Sequence, residues 1–142
     1  MSFTRRKFIN YLLGTSIIGW LSSVLYPVYS YFVPPKIPEA NVNMVKAGAA
    51  DSFDNNSGSI IKFGRKPVIL VKTNTGEFKA FSATCTHLDC IVQYRKDTKQ
   101  IWCACHNGLY DLNGINISGP PPKPLKEYNV KINNNEVFIS QT

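Results

Sequence analysis

Every thiol and every imidazole of this chain lies in two short blocks, CTHLDC at 85–90 and CACHNG at 103–108. Within them stand Cys85-x-His87 and, after fifteen intervening residues, Cys103-x-x-His106, with Cys90 and Cys105 left over. Thiolates and imidazoles converging from two loops suit zinc or an iron–sulfur centre. A closed zinc site needs four ligands, typically at C-x(2–4)-C or H-x(3–5)-H spacing. The present C-x-H and C-x-x-H pairs match that pattern poorly. Two disulfides with incidental histidines would explain the even cysteine count, but not why both histidines sit beside cysteines.

Strands must position these blocks. The stretches at 59–63, 68–73, 77–82, 91–95, 100–102, 115–117, 128–132 and 137–140 are rich in β-branched and aromatic residues, and several alternate apolar with polar. Turn-forming residues separate them at 74–76, 96–97, 113–114 and 133–135. No stretch after residue 51 has a helical period, so residues 52–142 read as an all-β, antiparallel head with no internal repeat.

Ahead of the head, residues 8–33 carry no charge. About 20 apolar residues cross a bilayer as a helix. Tyr26, Tyr29 and Tyr31 cluster late in the run, where an interfacial belt is expected. Pro27 is expected to kink or end the helix. A cleaved signal peptide has a shorter apolar core and a small-x-small cleavage site; this run is long and ends in YFVPPKIP. It therefore reads as a retained single transmembrane α-helix. Arg5, Arg6 and Lys7, within residues 1–7, place the N-terminus in the cytoplasm by the positive-inside rule. TRRKFIN also resembles a twin-arginine export signal, a route suited to a head that acquires an inorganic cofactor before crossing, although Asn10 stands where that pattern often has Lys. Residues 34–51, with three prolines and four alanines, read as a flexible linker, stiff at first and freer near Ala47-Gly48-Ala49-Ala50.

The 16 Lys and Arg against 9 Asp and Glu give a net charge of +7, or +4 once the three N-terminal cations are set aside. That surplus serves solubility or steers an acidic partner. No basic run with interleaved aromatics points to nucleic acid.

The two blocks resemble those of Rieske iron–sulfur proteins of the quinol-oxidising type, whose pattern is C-T-H-L-G-C and C-P-C-H-G-S. The anchor, the linker and SGPPPKP at 118–124 extend the resemblance, the last to the family's proline-rich loop. It implies a 2Fe–2S cluster whose two irons are held by Cys85 with Cys103 and by His87 with His106, and a disulfide between Cys90 and Cys105. Closing a loop of that size stabilises by about 3 kcal/mol in the chain-entropy model, and suits an oxidising compartment. It further implies that Tyr110 hydrogen-bonds a ligand sulfur, taken to be that of Cys85. Leu88 becomes an apolar docking contact, although the residue alone reads equally as core. Gly119 and Pro120, with Pro121 and Pro122, form a stiff lid. His87 and His106 are the catalytic candidates, with His106 preferred as the quinol contact.

Four residues depart from the pattern. Asp89 stands for Gly, Ala104 for Pro, and Asn107-Gly108 for Gly-Ser. Gly108 lacks the hydroxyl that donates to the cluster, and Asp89 adds negative charge; both disfavour the reduced state. The expectation is a low-potential, menaquinol-type quinol, and that Gly108→Ser raises the midpoint. The implied protein is an electron-transfer subunit of a cytochrome bc or b–f type complex, in which the 34–51 linker acts as hinge. It takes an electron from quinol at a cytochrome b subunit and passes it to a c-type cytochrome, or an acceptor of plastocyanin type, within a dimeric multisubunit assembly. The membrane is a cytoplasmic or thylakoid-type energy-transducing one, with the head on its outer, positive side. The alternative is the Rieske small subunit of an arsenite-oxidase-like enzyme; the anchor and long hinge weigh against it. A soluble Rieske ferredoxin feeding an oxygenase usually lacks both the second cysteine pair and an anchor.

Overall fold

The computed structural model describes residues 4–33 and 42–142. The chain divides into two units, an N-terminal helix and a β head. Helix α1, Arg5–Phe32, is 28 residues long and apolar enough to cross a membrane. At 1.5 Å per residue it measures about 42 Å, more than the roughly 30 Å of a hydrocarbon core. It begins at Arg5, so the three cations lie in its first turns. Pro27 sits inside it and does not end it. The missing Pro27 N–H deprives only the Ser23 carbonyl of its helical partner, a loss that apolar spans tolerate.

The head is antiparallel throughout. A six-stranded sheet has the order β1-β10-β9-β4-β3-β2, built from β1 Met44–Ala49, β2 Ser57–Phe63, β3 Lys66–Lys72, β4 Phe78–Ser82, β9 Glu127–Asn133 and β10 Glu136–Gln141. A four-stranded sheet has the order β5-β6-β7-β8, from β5 Gln93–Arg95, β6 Gln100–Cys103, β7 Gly108–Tyr110 and β8 Asn116–Ser118. Strand β3 explains how the layers join. Its residues 68–71 are buried on both faces, Ile69 and Val71 facing one core, Val68 and Leu70 the other. A period of two sends successive side chains to opposite sides, so an unbroken apolar run marks a strand covered twice. The first core contains Phe81, Ile101, Tyr110, Leu125, Cys85 and Cys103, and the candidate site grows from it.

The linker expected at 34–51 is corrected at its C-terminal end. Residues 34–41 lie outside the described residues, but Met44–Ala49 form β1, paired with β10 from Met44↔Ser140 to Ala49↔Glu136. The Ala and Gly of β1 carry no alternation for a sequence reading to find. Its place comes from a partner ninety residues away, with Lys46 ion-paired to Glu136, Asn135 Nδ2 donating to Asp51, and Lys72 Nζ donating to the Ala50 and Phe53 carbonyls. The two-residue turn between Asn133 and Glu136 matches expectation: Asn134 and Asn135 both have positive φ, 47° and 62°, as a type I′ hairpin demands.

Candidate metal centre

Strands β6 and β7 pair Cys103 with Gly108, so residues 104–107 form a hairpin loop between them. The first block leaves β4 and returns to the core at Val92. Its path is closed by three backbone hydrogen bonds: Cys85 N–H to Cys90 O at 2.7 Å, Asp89 N–H to Cys85 O at 3.1 Å, and Val92 N–H to Ala83 O at 2.8 Å. Asp89 and Asn107 both have φ of 56°. These are two of the positions where the family pattern carries glycine. Short polar side chains are the next residue type to enter the left-handed region, which accounts for both departures.

The loops bring the six blocked residues together. Cys90 and Cys105 form a disulfide, across a sequence separation of 15. Cys85 and Cys103 remain free thiols, both buried. The sulfurs of Cys90, Cys103 and Cys105 lie within 4.8 Å of one another, but two of them are spent on the disulfide, so Cys103 is the one thiol of that trio left free to bind a metal. The His87 and His106 rings meet edge to face, with centroids 4.7 Å apart. His106 is exposed and His87 half-buried, and the buried Nδ1 of His87 has no hydrogen-bond partner. A buried imidazole nitrogen without a partner is costly unless something occupies its lone pair. Two buried free thiols, that nitrogen and a second ring beside it fit a cluster ligated by two sulfurs and two nitrogens.

Tyr110, fully buried on β7, lies under the first loop. Its hydroxyl is 3.3 Å from Cys85 Sγ and 3.1 Å from Thr86 Oγ1, and accepts the Thr86 N–H at 3.2 Å. Burial works against ionisation of Cys85. Hydrogen bonds from the Tyr110 hydroxyl, the His87 N–H, the Cys103 thiol and the Leu88 N–H outweigh it and hold Cys85 below the ordinary thiol value. Cys103 goes the other way, pushed up by burial and by the neighbouring Cys85. Burial, then Cys85, likewise push Tyr110 up, so its hydroxyl stays protonated and able to donate.

The proline-rich segment is seated on the second loop through two glycines. Gly119, at φ +90°, lies so close that a Cβ there would meet Gly108 Cα at 2.8 Å and Asn107 O at 2.9 Å. A Cβ on Gly108 would meet Pro121 Cγ at 2.6 Å. The buried proline of the lid is thus Pro121, while Pro120 is exposed. This amends the expectation for Gly108→Ser, because the space a serine needs is filled by the Pro121 ring. Leu88 is 64% exposed, which removes the core reading.

Thr86 and Trp102, which sequence reasoning passed over, and Asn107, noted there only as a departure, also contribute. Thr86 Oγ1 donates to Lys123 O at 2.7 Å, tying the first loop to the proline segment. Trp102 Nε1 donates to Asn107 Oδ1 at 2.8 Å, holding the residue after His106. Thr86 and Asn107 stand inside the two blocks, so position alone was a signal; the Trp102 bond crosses the hairpin and had none.

Strand order, a disulfide between two loops, paired thiols and paired imidazoles define an iron–sulfur protein of mixed cysteine and histidine ligation. Residues 43–129 match the Rieske 2Fe-2S domain, and the chain belongs to that family. Among curated relatives, the cytochrome b6-f complex iron-sulfur subunit of Chlorobaculum tepidum is 39% identical over 140 residues, covering 99% of this chain and 77% of the relative. The subunit of the same name from a Synechococcus strain is 32% identical over 151 residues, covering 96% and 84%. Two solved structures share the fold. The ferredoxin of carbazole 1,9a-dioxygenase from Nocardioides aromaticivorans has a TM-score of 0.61 at 18% identity, covering 70% of this chain and 99% of its own. A plasma membrane Rieske protein of Synechocystis has 0.60 at 24% identity, covering 68% and 98%.

Proposed function

We infer that this chain is the Rieske subunit of a cytochrome bc-type complex, taking one electron from a low-potential, menaquinol-type quinol at a cytochrome b subunit and passing it to a c-type cytochrome. The observation that carries the reading is the near full-length similarity to b6-f iron-sulfur subunits, anchor included. The likeness to a dioxygenase ferredoxin is one of fold alone.

Cys85 and Cys103 would hold one iron, and His87 and His106 the other. When bound, the cluster supplies a one-electron acceptor whose imidazole ligands raise its potential into a range of roughly −150 to +300 mV. The chain's own residues do the rest. Cys85, whose thiol ionises more readily than an ordinary one, keeps the Tyr110 hydroxyl as a donor. His87 offers its buried, unpartnered Nδ1 inward to the iron. His106, the exposed ring of the pair, is the quinol contact: its ring nitrogen not holding iron would accept a hydrogen bond from a quinol hydroxyl and take that proton. Leu88 offers the apolar contact beside it, and Pro121 over Gly108 keeps water from the buried side.

Two features support a low potential. No side-chain hydroxyl stands at 108, and the Asp89 carboxylate stands exposed on the first loop. Arg5, Arg6 and Lys7 support an N-terminus in the cytoplasm and a head on the outer side. The test is a redox titration of the purified full chain with EPR of the reduced protein. The expected result is a mixed Cys/His spectrum and a pH-dependent midpoint near or below about zero, low in the Rieske span. A midpoint at the top of that span overturns the menaquinol assignment; zinc in place of iron overturns electron transfer. Gly108→Ser combined with Pro121→Ala, which clears the ring atoms, should raise the midpoint.

A further inference from the structure

The positive charge of the head is not spread evenly. Over residues 42–142 there are twelve cations and eight carboxylates. Three segments, 62–67, 83–90 and 119–127, hold five of those cations, Lys62, Arg65, Lys66, Lys123 and Lys126, against two carboxylates, Asp89 and Glu127. The rest has seven cations to six carboxylates and is close to neutral. All five cations are exposed. Among the described residues, no carboxylate is ion-paired with Lys62, Arg65, Lys123 or Lys126, whereas Lys46 and Arg95 elsewhere pair with Glu136 and Asp97.

The fold gathers these segments around the first cysteine block. Strand β4 runs toward the block beside β3, so the Gly64-Arg65 turn between β2 and β3 points the same way. Ala83 N–H donates to Pro67 O at 2.9 Å, Ser82 N–H to Lys126 O at 2.7 Å, and Thr86 Oγ1 to Lys123 O at 2.7 Å. Each bond ties the approach to Cys85 to a segment bearing cations. Lys126 Nζ sits 5.7 Å over the Tyr128 ring, which lies 5.2 Å from Phe63, between Lys62 and Gly64. The hairpin turn and the 119–127 segment therefore flank one face, with Leu88 and His106 exposed at the site it borders.

We propose that Lys62, Arg65, Lys66, Lys123 and Lys126 form a basic collar that docks an acidic face of the protein receiving the electron. The inference rests on the electron-transfer reading above and names the chemistry of its acceptor. A redox-active centre rimmed by charge predominantly of one sign is the anatomy of a transient interface, in which charge governs encounter rate more than affinity. A collar placed at the redox end favours a protein over an anionic lipid surface. One electron passes from the reduced centre to one ferric haem, which becomes ferrous. No bond between heavy atoms forms or breaks, and the proton taken up with the electron returns to solvent.

The test uses the full chain in detergent, reduced with dithionite and mixed by stopped flow with a soluble acidic c-type cytochrome. A second series uses the same cytochrome with its surface carboxylates amidated. Lys62→Glu/Arg65→Glu/Lys126→Glu should slow reduction of the acidic form by about tenfold or more at low salt, and the deficit should shrink as salt rises. The amidated form should react slowly with the unaltered chain and lose nothing further. Lys131→Glu, on β9 away from the collar, should leave the rate unchanged. Rates that ignore the cytochrome's charge, or an equal loss with Lys131→Glu, overturn the collar while a mixed Cys/His EPR spectrum keeps the electron-transfer reading. Loss of binding to phosphatidylglycerol vesicles with an unchanged rate assigns the collar to lipid and overturns it too. No such spectrum and no transfer to either cytochrome overturns both.

Discussion

The two cysteine loops meet at one site but are held by different forces. The first, 83–92, is a mesh of hydrogen bonds: backbone to backbone within itself, to the Tyr110 hydroxyl beneath, and through Thr86 to Lys123. The second, 104–107, has one side-chain bond, from Trp102 to Asn107, turns the Cys105 and His106 N–H groups toward the Cys103 sulfur, and otherwise rests on contact between Gly108, Gly119 and Pro121. The first half-buries its histidine and the second exposes its own. Hydrogen bonds to sulfur and to ionised groups tune electronics, whereas close packing tunes only position. Loss of the side-chain donor under the first loop should therefore move the midpoint, whereas loosening the packing under the second, without adding a donor, should move stability and access.

The disulfide is what both loops share, so breaking it should have the largest effect. Cys90→Ser with Cys105→Ser is expected to cost about 3 kcal/mol in chemical denaturation of the holoprotein. Loss confined to the second loop's hydrogen exchange, with unaltered global stability, would show that the loops are independent. Next comes Gly119→Ala, which forces a Cβ into backbone at a positive φ. It should destabilise by about 2 kcal/mol, with little change in the midpoint of what folds; an unchanged melting temperature would remove the proline segment from the stability of the site. Tyr110→Phe should cost about 1.5 kcal/mol, for a buried hydroxyl with several partners, and lower the midpoint by titration. A changed stability with a fixed midpoint would erase the distinction between the loops. The smallest effect is expected of Trp102→Phe, about 0.5–1 kcal/mol. It should raise amide exchange at Asn107 and leave Thr86 protected, because only the second loop leans on that bond.

Much of the site was legible because the cluster's chemistry demands particular elements. Six residues of two types crowded into two blocks left few readings, and the exposed Leu88, the buried Cys85 and Cys103, and the Tyr110–Cys85 contact all agree with them. The strands of strong alternation were legible for the same local reason. What escaped was non-local. Strand β1 is written in Met, Val, Lys, Ala and Gly and exists because β10 offers it an edge. Strand β7, Gly108–Tyr110, starts at the last residue of the second block, which reads first as ligands. Pro27 looks like a stop, yet one lost hydrogen bond does not end a long apolar helix.

Sequence alone determined the cysteines and histidines, their grouping in two blocks, the all-β head and the apolar N-terminal helix, because each depends on residue chemistry or on neighbours within a few positions. Only the tertiary structure decided that Pro121, and no hydroxyl, fills the space over Gly108, that Asp89 and Asn107 occupy left-handed turns, and that five cations scattered over 65 positions border one face. Those outcomes depend on which distant backbones come within a few ångströms of one another, and strand pairing sets that distance, not the local order of residues.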